Sequence, residues 1–170
     1  MVRFWRFLAL LLTGLALGLT WAHVLELPQK LHYDPQLYAA VNTTLYRYFA
    51  VVGAPISIAA IVATAILTIL VRDRPTILLW TGAAALLLVL WLASWFFIVA
   101  PVNNDIADLL ASAPERVPDL WLRLRPRWEY GHAIGFILEL AAFCLLIISV
   151  VVDTPRGVVR GSAPRGRRVR

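Results

Sequence analysis

The sequence predicts an all-α integral membrane protein, a four-helix bundle with two extracytoplasmic caps. Three observations carry that reading. Of the 170 residues, 61% are hydrophobic, against roughly 45–50% for an ordinary soluble domain. Four apolar runs stand out, at about 4–25, 49–71, 76–100 and 131–152. Each reaches the roughly 20 residues that cross a hydrocarbon core about 30 Å thick. Together they use over half of the chain and leave no room for a separate soluble module, so residues 1–152 form one transmembrane domain, followed by a basic tail over 153–170.

The first run begins after Arg3 and Arg6, a pattern that also opens secretory signal peptides. Its apolar stretch is longer than a usual signal core, and Thr20-Trp21-Ala22 is a poor cleavage site, so the run is expected to stay as a transmembrane helix. Gly14 and Gly18 give it the small-xxx-small spacing of a close helix contact, expected inside the bundle. Leu27-Pro28 then leads into an outer segment in which Asp34-Pro35 reads as a helix cap followed by proline at the first helical position. The helix begun there is expected to run through Leu37, Val41 and Leu45 straight into the second span, which Gly53-Ala54-Pro55 should kink.

Arg72-Asp73-Arg74-Pro75 is too short for anything but an antiparallel hairpin between the second and third spans. The third gathers Trp91, Trp95, Phe96 and Phe97 before Pro101. Tryptophans near a membrane face are usually interfacial anchors, but Trp91 is too deep for that and reads as a cavity wall. A second outer segment follows, with amphipathic stretches at Asp105–Ala111 and Pro118–Leu124.

Arg3, Arg6, Arg72, Arg74 and Arg156, Arg160, Arg165, Arg167, Arg168 and Arg170 place ten basic residues on one side. Lys30, Arg47, Arg116, Arg123, Arg125 and Arg127 place six on the other. The positive-inside rule therefore puts both termini in the cytoplasm of a multi-pass cell-membrane protein. The net charge of +6 comes mostly from the tail, whose Gly, Pro and Ser between arginines predict disorder and attraction to anionic lipid, with no nucleic-acid partner. The single cysteine, Cys144, lies in the fourth run, which excludes an intramolecular disulfide and predicts a buried thiol acting as a small hydrophobe.

Helix length carries His23 to the outer end of the first span, and Glu26 follows one turn later on the same face. Asn103 and Asn104 lie just beyond the outer end of the third span, and His132 just inside the outer start of the fourth. Trp128, His132, Gly135 and Glu139 are spaced 4, 3 and 4 apart, one helical stripe facing the bundle. Glu139 is the one carboxylate that falls at bilayer depth, where an unpartnered charge is costly. A stripe of this kind suits a divalent metal, with His23, Glu26 and His132 as candidate ligands. It suits equally an acid–base pair for a quinone or aromatic substrate. His32 and the Asn42-Thr43-Thr44 sequon read as surface residues.

The segments His23-Val24-Leu25-Glu26-Leu27-Pro28, Pro101-Val102-Asn103 and Arg127-Trp128-Glu129-Tyr130-Gly131-His132 resemble the DUF1772 family of small four-helix membrane proteins, also labelled anthrone oxygenase-like. The resemblance extends over roughly residues 1 to 152. Named fungal members of that family oxidise anthrones to anthraquinones, whereas most bacterial members have no assigned reaction. The resemblance implies a site at His23, Glu26, Asn103, Trp128 and His132; Glu139 enters from its depth and spacing alone. The expected function is an oxygenase-like oxidoreductase acting on a hydrophobic aromatic or quinone-like molecule that enters from the bilayer. In it His132 acts as base, His23 and Glu26 orient it or join it around a metal, Asn103 meets the developing oxyanion and Trp128 stacks on the ring. The alternative is a non-enzymatic binding or accessory protein that holds a lipid, a metal ion or a partner helix, alone or as an oligomer. A proton-coupled carrier using Glu139 ranks below both, because no repeat or intramembrane polar path is visible.

Overall fold

Long apolar runs need no partner strand in a bilayer, since a helix satisfies its own backbone. The computed structural model describes residues 1–154, and helices account for all of them apart from short turns. The elements are α1 (Val2–Lys30), α2 (Pro35–Thr44), α3 (Arg47–Leu70), α4 (Pro75–Ser94), a π-helical segment Trp95–Val99, α5 (Ala100–Ser112), a 3₁₀ turn Pro114–Arg116 and α6 (Val117–Asp153). Four stretches are long and apolar enough to cross a membrane: α1, α3, α4 continued through α5, and the 3₁₀ turn continued through α6. α1 packs on α3 and α6, α3 on α4, and α4 on α6, which closes a four-helix bundle. The tail expected beyond residue 154 lies outside the described residues.

Side-chain pairs between α1 and α6 record their antiparallel register. Arg6 meets Asp153 at 2.6 Å, Thr20 meets Glu139 at 2.6 Å and Lys30 meets Glu129 at 3.1 Å. The numbers rise along one helix as they fall along the other, as antiparallel neighbours with equal rise require. At the end that holds Met1 and the close of α6, Asp153 also accepts from Arg74 at 2.9 Å, so three helices are tied through one carboxylate.

Apolar packing forms two clusters. One, nearer Val2 and Asp153, joins Ala9, Ala63, Leu67, Ala84, Leu88 and Leu146. The other, at the opposite end, joins Tyr38, Tyr46, Val102, Ile106, Trp121 and Trp128, and so binds α2, α5 and the start of α6 into one cap. Outward positions such as Phe4, Leu11, Ile58, Leu79, Leu86 and Ile137 are exposed. On a spanning bundle this is the surface that lipid covers.

Several expectations change in the structure. α1 does not stop at Pro28 but continues to Lys30. Arg125 takes up the carbonyls at its exit, Nη1 donating to the oxygen of Lys30 and to those of Leu31 and Tyr33 in the turn that follows, at 3.0, 3.3 and 3.1 Å. The third span does not end before Pro101. It passes through the π segment into α5, where the proline occupies a first-turn position that needs no N–H donor. The stretch 118–124 is the beginning of the 37-residue α6, which absorbs Pro126.

α2 and α3 are separate helices. The hydroxyls of Thr43 and Thr44 donate to the carbonyls of Ala39 and Ala40, a back-bonding that bends helices, and the chain turns at Leu45-Tyr46. The Asp34 cap forms as expected, its carboxylate accepting from Leu37 N at 2.9 Å. The glycine pair of α1 makes no close helix contact: a Cβ on Gly14 would lie at ordinary distance from Phe143, and one on Gly18 would meet open space. The buried stripe runs instead through Ala9, Thr13, Ala16, Thr20 and His23. Cys144 is exposed, on the outward face of α6, because its neighbours Ala142 and Leu146 take the inward positions.

Candidate functional site

Between the two apolar clusters lies a cavity of about 520 Å³, within the range of small-molecule sites. Its floor is built by α1 and α6. The stripe of α1 ends in His23, and that of α6 delivers Trp128 and His132, each buried. The two imidazoles lie side by side with ring centroids 4.3 Å apart, and His132 sits 4.2 Å from Trp128. His23 also touches Tyr46 and Phe49, at 4.7 and 5.1 Å between centroids. Trp91, anticipated as a cavity wall, closes the far side. Gly135 admits it: a Cβ there would overlap the indole.

Hydrogen bonds fix the orientation of the polar groups. His132 Nδ1 lies 2.9 Å from the Trp128 carbonyl; a carbonyl only accepts, so Nδ1 carries the proton and Nε2 keeps its lone pair. The Trp128 indole N–H donates to Asn103 Oδ1 at 3.0 Å. That bond turns the amide NH₂ of Asn103, on the cavity wall, away from the indole.

Three buried polar atoms on the wall have no partner among the described residues: His23 Nδ1, Asn42 Oδ1 and the Trp121 indole nitrogen. Buried polar groups are nearly always paired, so these three are available to water or to the polar atoms of a molecule in the cavity. Asn42 is accordingly a buried wall residue rather than a surface one, because α2 folds back over α6.

The six sequence candidates thus divide. His23, Asn103, Trp128 and His132 line one cavity. Glu26 is turned from it, hydrogen-bonded to the Tyr46 hydroxyl and 3.9 Å from Lys30 Nζ. Among the described residues no three His, Cys, Asp or Glu side chains gather as metal ligands, so Glu26 does not complete a set with the two histidines. Glu139 is wholly buried behind the wall, where it accepts from Thr20 at 2.6 Å.

Lys30 and Glu129, counted by sequence as ordinary outer charges, are the residues that reasoning missed. Both are 1% exposed. Lys30 Nζ lies 4.8 Å from the ring centroids of both Tyr46 and Trp128, and Glu129 accepts from the Tyr38 hydroxyl at 2.8 Å. Burial first, and then the adjacent Glu129 carboxylate, hold the Tyr38 phenol well above its ordinary range, so it remains a donor. Burial and Glu26 do the same for Tyr46. The available signal was spacing: Lys30 follows His23 by two helical turns, on the stripe already facing inward.

The cavity is open on one side. α3 lines it with Ala50, Ala54 and Ile58, opposite Leu92 and Trp95, and Ala50 and Ile58 are themselves exposed. α3 packs on α1 and α4 but does not close against α5. Since α3 is one of the spanning helices, the cavity reaches the outer surface of the bundle at its exposed residues. Compared with known proteins, the chain matches no family model, no curated protein and no solved structure.

Proposed function

We propose that this chain is an oxygenase-like membrane oxidoreductase that takes an aromatic or quinone-like molecule from the bilayer through the α3–α5 seam and oxidises it. The observation that carries the reading is the set of three unpaired polar atoms on a cavity wall rich in aromatic rings. An apolar ring system with oxygen substituents fits such a wall, and a lipid tail, which has no polar atoms to offer, does not. The resemblance to the DUF1772 family adds the reaction class. The same reading places the protein in the cell membrane with both termini cytoplasmic.

In this reading Nε2 of His132 takes a proton from an activated ring methylene, and the electron pair left behind delocalises onto the ring oxygen. The NH₂ of Asn103 meets that oxygen. Dioxygen accepts the electrons and bonds to the carbon as a hydroperoxide, and loss of one water leaves a carbonyl. One methylene and one O₂ thus give one carbonyl and one H₂O. Trp128 and the His23 ring hold the substrate plane.

The test is conversion of anthrone to anthraquinone by the purified full chain in detergent, followed by quinone absorbance and oxygen uptake. His132→Gln is expected to lower turnover by about a hundredfold or more, the usual share of general base catalysis, with anthrone still bound. Binding without any turnover by the wild type would select the alternative, a non-enzymatic binding protein. An unaffected His132→Gln rate would remove the proposed base.

A further inference from the structure

Resting on the reading of the cavity as an aromatic site, we infer that Lys30, held behind Tyr46 and Trp128, makes the cavity select the deprotonated form of an acidic aromatic ligand, a phenol or an enolisable aryl ketone. Lys30 does not line the cavity, but the two rings it lies against do. A cation on one face of an aromatic ring draws its electron density to that face. The opposite face, which the ligand meets, becomes a better partner for an electron-rich anion.

The ion pair has a direction. Glu129, 3.1 Å from Nζ, accepts from the Tyr38 hydroxyl, and neither Glu129 nor Tyr38 lines the cavity. The ammonium is therefore the end against the ring wall and the carboxylate the end away from it. The other charged or titratable groups around the pair are Glu26 on α1, bound to the Tyr46 hydroxyl and partly exposed, and Arg125 on α6, bound to the carbonyls that end α1. On the cavity side stand His23 and His132, with the exposed Arg47 among the lining residues. Burying an ion pair is a poor route to stability compared with apolar packing. Its position directly behind the wall gives it a use, since there it stabilises the conjugate base that the proposed reaction must form.

A nitronaphthol, coloured when ionised, is the probe, titrated with pH while bound to the full chain in detergent, and anthracene is the neutral control. Lys30→Met combined with Glu129→Gln removes the pair without leaving a buried charge alone and keeps an acceptor for Tyr38. Ionisation of the bound naphthol is expected to be about twofold stronger in the wild type than in this double variant. That is the difference between two opposite charges roughly 10 and 13 Å away at an effective dielectric constant near 20, the near one positive. Anthracene affinity should be unchanged, a separation that a merely structural clamp would not produce.

Lys30→Gln combined with Glu129→Gln puts two amides in place of the two ions and should weaken ionisation to the same extent, which keeps the inference testable should the first double variant misfold. Equal ionisation in the wild type and the double variant overturns the inference, as does loss of the effect in Arg47→Gln, which would assign it to the other cation. If anthracene fails to bind the wild type, the aromatic-site reading falls, and this inference with it.

Discussion

Replacing Gly135 by alanine puts a methyl group where three carbons of the Trp91 indole would lie within 3.0 Å of it. Carbon atoms pack best at about 3.5–4.0 Å, so the ring must retreat by roughly 1 Å, and the space open to it is the cavity it lines. Overpacking of this kind typically costs about 1–3 kcal/mol, but the substitution also gains the helix preference of alanine over glycine, about 1 kcal/mol. Gly18→Ala supplies the correction, because it gains the same preference in a helix where a Cβ meets nothing within 4 Å. The difference between the two variants isolates the packing cost, with Gly135→Ala less stable by about 1–3 kcal/mol. Thermal unfolding in detergent followed by tryptophan fluorescence measures it, and anthracene titration reads the lost cavity space as weaker binding. If both variants shift stability alike and bind anthracene alike, the reasoning that Gly135 seats Trp91 is refuted.

At the other end of the bundle, Asp153→Asn weakens the contacts to Arg6 and Arg74 and should lower stability by about 1–2 kcal/mol while leaving anthracene affinity intact; a change in affinity would mean the two ends are not independent. Thr20→Val leaves the buried Glu139 carboxyl without its hydroxyl donor, at a cost of about 1–3 kcal/mol. Adding Glu139→Leu to Thr20→Val should recover most of that loss, so the two substitutions are non-additive; simple additivity in a denaturation cycle would show that the pair is not coupled. Glu139→Gln keeps an acceptor for Thr20 and should stay within about 1 kcal/mol of the wild type, whereas a larger loss of stability would mean that the buried site needs the acid and not just an acceptor.

The spans were legible because uninterrupted apolar runs admit little but a membrane helix. Their ends were not, since a proline is only a partial stop signal: Pro101 sits in the first turn of α5, where no N–H is needed, whereas Pro28 and Pro126 lie inside α1 and α6, which continue past them. The meeting of His23 with His132 and Trp128 could be anticipated from depth alone, as helix rise converts residue number into height. Depth says nothing of direction around the helix, however. Glu26 shares the level of His23, yet it turns to Tyr46, and Glu139 continues the stripe of His132 but lies behind Thr20. Lys30 and Glu129 escaped notice because charges at the ends of apolar runs are normally solvated. Only the fold of α2 across them, with Tyr38 reaching Glu129, removes the water.

The π segment at Trp95–Val99 sets the phase between α4 and α5. A π turn holds one residue more than the α-helix it interrupts, and one residue is about 100° of rotation. Trp91 before it and Asn103 after it both face the cavity with that extra residue counted in. Removing a single residue from the turn would leave every span intact and dial Asn103 a quarter-turn away from the Trp128 indole. Two walls of the cavity are thus clocked against each other by one peptide unit.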